Sequence, residues 1–118
     1  MASLNMEGPY LLIPDKIDEV VTSMQPGAFA LGYIADVNFV VVYVGRSDKN
    51  LNETLKDWVF RKSDCMFFKY AFTKNSYEAF VKECISYHDF GAINLKCEQH
   101  PQRIEGTDWR CPGCDVYK

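Results

Sequence analysis

Four residues near the end of this chain carry its most specific chemistry. Cys97 and His100 form a CxxH pair, and Cys111 and Cys114 form a CxxC pair ten residues further on. Thiolate sulfur and imidazole nitrogen are the donors that close a tetrahedral zinc site, and two short pairs are how a chain brings four of them to one ion. Pro112 and Gly113, inside the second pair, suit the tight turn of a zinc knuckle. A closed set of four protein ligands is structural rather than catalytic. Residues 94–118 hold too few apolar side chains for a core of their own, so zinc is expected to supply most of that segment's folding energy. Trp109, two residues before Cys111, is expected to cover the site.

Composition sets the frame for the rest. The chain has 118 residues, 47% hydrophobic and 25% charged, which is ordinary for one globular domain with a small appendage. No apolar run reaches the roughly 20 residues that a membrane span requires. The opening Met1-Ala2-Ser3-Leu4-Asn5 has neither the basic flank nor the apolar core of a secretory signal, so a cytoplasmic protein is expected. Five cysteines are an odd number, which fits thiolate–metal ligation in a reducing compartment better than a disulfide framework. Cys65 and Cys84, outside the knuckle, lie in apolar stretches and are expected to be packing thiols.

The net charge of −3 is unevenly spread. Residues 46–74 carry Arg46, Lys49, Lys56, Arg61, Lys62, Lys69 and Lys74 against Asp48, Glu53, Asp57 and Asp64, a local excess of positive charge in an otherwise acidic chain. That stretch is suited to face a polyanion; equally, it reads as an ordinary solvated surface of mixed charge.

The elements that must position these groups follow from hydrophobic period and breakers. Residues 1–9 read as a loose arm. Asp15 is placed to cap a short helix with Ile17, Val20, Val21 and Met24 on one face, ended by Pro26-Gly27. The apolar runs Ala28 to Ile34 and Phe39 to Val44, with Asp36 and Asn38 between them, read as a buried β-hairpin broken by Gly45. Ser47 or Asp48 can open a helix carrying Leu51, Leu55, Trp58 and Val59. Met66 to Phe72 reads as a third strand, its aromatics better suited to a core than to stacking on bases. Ser76 can cap a last helix with Phe80, Val81, Cys84, Ile85 and Tyr87, with Glu78 in its first turn and Gly91 at its end.

The hairpin residues and the order of elements have a counterpart. Gly27-Ala28-Phe29 in the first strand and Tyr43-Val44-Gly45 in the second, followed by Arg46-Ser47 and Asn50-Leu51, resemble the paired tripeptides of the GIY-YIG nuclease family. The resemblance spans roughly residues 27–90, the whole of that family's core. It implies an α+β fold, a small three-stranded antiparallel sheet flanked by helices, followed here by the zinc knuckle. It divides the chain into an arm and short helix (1–26), the GIY-YIG-like domain (27–93) and the knuckle (94–118).

The resemblance also implies an activity, hydrolysis of nucleic-acid phosphodiester bonds, most readily in DNA, with one magnesium or manganese ion. Tyr43 matches the tyrosine that helps deprotonate the attacking water, and Glu83 matches the carboxylate that holds the metal. One hard oxygen ligand, waters and a substrate phosphate make a normal magnesium site. Two positions depart from the pattern. Phe29 replaces the first tripeptide's tyrosine, and Thr54 stands where the family has an arginine on the scissile phosphate. Arg46, Lys56 and Arg61 are the cations expected to contact phosphate in its stead. Losing one preorganised charge-stabilising group costs on the order of 10²–10³ in rate. The same frame therefore also suits a module that binds nucleic acid or a protein without cutting. Sequence specificity would call for a partner protein or a homodimer.

Overall fold

The computed structural model describes residues 6–61, 65–89, 101, 103–107 and 109. The elements run β1 (Glu7–Leu11), α1 (Pro14–Val20), β2 (Gly27–Ala35), β3 (Asn38–Ser47), α2 (Leu51–Val59), β4 (Phe67–Phe72) and α3 (Ser76–Asp89). The strands form one antiparallel sheet in the order β1-β4-β2-β3. The α+β class is as expected, but the three-stranded sheet is corrected to four. The extra strand comes from residues read as a loose arm. β4 would otherwise present a bare row of backbone donors and acceptors, and β1 pairs with it. The signal was hidden because β1 is short and interrupted. Gly8 adopts φ +121°, and a Cβ there would lie 2.8 Å from the Phe68 carbonyl oxygen.

β2 and β3 turn at Asp36, whose φ of 56° is a conformation that Asp tolerates. β3 does not end at Gly45 but runs through it to Ser47. Glycine is needed there because the Phe29 ring crosses its backbone; a Cβ would come within 2.6 Å of Phe29 Cζ. The ladder pairs Leu31 with Tyr43 and Gly32 with Val41, leaving Val42 as an extra residue. This bulge resets the alternation of β3, so that Phe39, Val41 and Val44 all join the α3 side while Val42 and Tyr43 join the other.

Each face of the sheet has its own cover. On one, α1 and α2 contribute Ile17, Leu51 and Leu55 to a core with Phe29, Leu31 and Phe68, all but fully buried. This confirms the β4 aromatics as core. On the other, α3 packs on β2 and β3, with Tyr87 against Ala30 and Val44. Cys65 and Cys84 are both buried, as expected of packing thiols.

Helix ends differ from expectation in a consistent way. α1 begins with Pro14 in its first turn, and Ile13, which has no capping hydrogen bond, precedes it; Asp15 lies inside the helix. It ends at Val20, and Met24 is exposed. α2 is capped by Asn50, which accepts from Glu53 N at 3.3 Å, and not by Ser47 or Asp48. Ser47 Oγ accepts from Asn50 N at 3.0 Å, so it shapes the turn that delivers the cap. At α3, Asn75 Oδ1 accepts from Glu78 N at 2.9 Å, and Glu78 accepts in return from Lys74 N. Ser76 is thus the first helical residue rather than the cap, and the exchange is a near relative of the capping box. Gly91 lies outside the described residues.

Candidate functional site

Arg46 stands near the end of β3, paired with Ala28 of β2. Its side chain crosses to α3. Nη1 donates to Glu83 Oε1 at 2.7 Å, Nε donates to Asp48 Oδ1 at 2.8 Å, and the guanidinium lies 5.2 Å from the Phe80 ring centroid. Both partners of the longer-range pair are nearly sealed, with side chains 11% and 12% exposed. Burial pushes the Glu83 carboxyl up to about 7 against the pull of Arg46, with Asp48 adding to the rise. Burial also opposes the charge on Arg46, but its hydrogen bonds to Asp48 and Glu83 outweigh that and hold the guanidinium above its ordinary value.

Beside this cluster a groove of about 390 Å³ opens between the end of β3 and α2. Arg46, Ser47 and Asp48 form one wall, and Glu53, Thr54 and Asp57 of α2 the other. Thr54, at the position of the family's arginine, therefore does line the same groove as Arg46. Three carboxylates share that groove with Arg46 and Lys49, so its field is mixed rather than cationic.

Tyr43 and Glu83 are not brought together. Three residues separate Tyr43 from Arg46 on a regular part of β3, which turns them to opposite faces. Tyr43 packs on α2, its ring centroid 5.0 Å from that of Trp58, while Glu83 is held by Arg46 on the α3 side. Phe29 fills the same aromatic cluster at 6.3 Å from Trp58. The tyrosine and the carboxylate of the expected constellation thus lie on two sides of one sheet.

The three expected phosphate cations do not converge either. Lys56 pairs with Asp18 of α1 at 2.6 Å and holds that carboxyl below its ordinary value. Arg61 lies 4.3 Å from the Trp58 ring centroid. Of the three, only Arg46 lines the groove. His88 is half-buried, with its ring against Tyr87 at 5.2 Å.

The donor set at Glu83, as arranged, does not fit a divalent cation. A guanidinium already occupies the carboxylate, and a second cation beside it would meet like charge in a poorly solvated place. Among the described residues no three His, Cys, Asp or Glu side chains gather as a metal cage. Cys97, His100, Cys111 and Cys114 lie outside the described residues. What is described of that segment docks on α3: Trp109 packs 5.4 Å from Phe80 and 5.5 Å from Tyr77, and its carbonyl accepts from Arg103.

Two partners escaped the sequence reading. Asp48 is two residues from Arg46, a signal for a turn but not for an ion pair. Asn52 donates to Asp18 and to the Val21 carbonyl, tying α1 to α2, which nothing local announces. The Trp58–Arg61 contact was legible in principle, since residues three apart on a helix are neighbours. Among the described residues no helix is long and apolar enough to cross a membrane. Comparison with family models, with curated proteins and with solved structures finds no match to this chain.

Proposed function

We propose that this chain is a nucleic-acid-binding module on a GIY-YIG-like frame, with a structural zinc in its C-terminal segment. The observation that carries the non-catalytic part is the Arg46–Glu83 ion pair at 2.7 Å. It places a fixed positive charge where a hydrolase of this kind would need a metal. The departures at Phe29 and Thr54 and the separation of Tyr43 from Glu83 support the same reading. Nucleic acid is favoured as the ligand by the positive stretch 46–74, from which Lys49 and Arg61 reach solvent.

Zinc would be held by Cys97, His100, Cys111 and Cys114, and bound there it would supply folding energy to the tail. The docking of Trp109 on Phe80 and Tyr77 supports a tail anchored to α3. Purified protein is expected to carry one zinc per chain, and Cys111→Ser to lose it with a lowered melting temperature. Metal-free wild type with an unchanged melting temperature in the variant would remove zinc from the reading.

The functional test is a panel of labelled single-stranded, duplex, branched and flap DNAs and RNA, with magnesium or manganese, read for both binding and cutting. Binding that weakens as salt rises, without cutting, is expected. Metal-dependent cutting that vanishes in Glu83→Gln would replace the binding module with a hydrolase. Binding insensitive to salt would point away from phosphate contacts altogether.

A further inference from the structure

The far end of α2 carries a feature that neither the groove nor the ion pair uses. Trp58 is half-buried between Tyr43 on one side and the Arg61 guanidinium on the other, with ring-centroid distances of 5.0 Å and 4.3 Å. Phe60, between Trp58 and Arg61 in sequence, is 81% exposed. A phenyl ring so open to water contributes nothing to the core, whereas Trp58 is rooted in it through Phe29. The two aromatics differ in mobility and share one cation.

We propose that Phe60, Trp58 and Arg61 form a ledge that takes an unpaired base of a single-stranded nucleic acid. This inference rests on the nucleic-acid reading above and names the strand class and the residues. The chemistry is complementary in both parts of a nucleotide. A base presents a π-face to Phe60 or to the Trp58 indole, and Arg61 supplies a charge for the adjoining phosphate. Arg61 is exposed, so its cation–π contact with Trp58 is of the weak, solvated kind, and a base stacked on an aromatic ring is the stronger contact. Exchanging the guanidinium for a base, with the guanidinium moving onto phosphate, is therefore favourable. Lys56, on the same helix, is already committed to Asp18, and Asp57 adds a local negative charge that limits the ledge to modest affinity. Duplex DNA hides its base faces in the stack and cannot use the ledge.

The test is fluorescence anisotropy of the full chain with a labelled oligo-dT, an abasic strand of equal length and charge, and a duplex. Wild type is expected to bind oligo-dT about tenfold tighter than the abasic strand, the size of effect that one stacked base supplies. Phe60→Ala removes an exposed side chain and should fold normally, which near-ultraviolet circular dichroism checks. It should abolish that tenfold preference, and Arg61→Ala should weaken both strands. Equal binding of oligo-dT and the abasic strand, or an unchanged preference in Phe60→Ala, overturns the ledge while leaving a phosphate-binding module intact. Absence of binding to every strand and to duplex overturns both the ledge and the nucleic-acid reading.

Discussion

On one face of the sheet, α1 and α2 close over Phe29, Leu31 and Phe68 with apolar and aromatic side chains that make no demand on charge. On the other, α3 lays Phe80 and Cys84 beside a nearly buried Arg46–Glu83 pair. The faces share one set of strands, so the difference lies in what each strand turns to either side. Apolar burial is additive and tolerant of pH. A buried ion pair is neither, because its desolvation cost is close in size to its attraction and the balance depends on protonation. The aromatic face thus accounts for stability, and the α3 face is where chemistry and sensitivity are concentrated.

The largest expected effect tests the aromatic face. Phe68→Ala, at a fully buried position in the central strand β4, should cost about 3–5 kcal/mol in urea unfolding. A loss below about 1 kcal/mol would mean that this face is not the core. Gly45→Ala comes next, because a Cβ there meets the Phe29 ring at 2.6 Å. It should destabilise by about 1–3 kcal/mol, the usual cost of forcing atoms into a packed site, and the second change Phe29→Leu should recover part of it. Neutral Gly45→Ala would show that the ring has room to move.

The α3 face is read through pH. With its carboxyl pushed to about 7 from an unfolded value near 4.5, Glu83 binds its proton more tightly folded than unfolded. Its contribution to stability is therefore fully present below about pH 4.5 and is lost as the pH rises through about 7. Wild type should lose stability relative to Glu83→Gln across that window, followed by melting temperature in matched buffers. A difference that grows in favour of wild type instead would show that attraction to Arg46 outweighs burial. The smallest effect belongs to a helix end: Asn50→Ala removes the cap of α2 and should cost about 1 kcal/mol.

Much of the fold was legible because it follows from local periods and breakers. The hairpin runs, the helical spacing of Leu51 and Leu55, and the aromatic strand are patterns of two or of 3.6 residues, and α3 begins where its polar cluster ends. What was missed follows from contacts between distant segments. β1 became a strand because β4 needed a partner, not because Glu7-Gly8-Pro9-Tyr10 has strand character. Caps moved by one to three residues because Asn50 and Asn75 offered better-placed acceptors than Ser47 or Ser76.

The candidate site divides in the same way. The sequence by itself determined that residues 27–89 alternate strand and helix as an α+β domain, that Arg46 and Glu83 lie on elements able to pack together, and that four soft donors follow in the tail. Only the tertiary structure decided that Arg46 and Glu83 face each other and that Tyr43 turns away to Trp58. The reason is the side-chain geometry of a strand. One residue of offset exchanges its two faces, and the bulge at Val42 adds such an offset within β3, so which neighbours share a face is set by pairing across the sheet rather than by order along the chain.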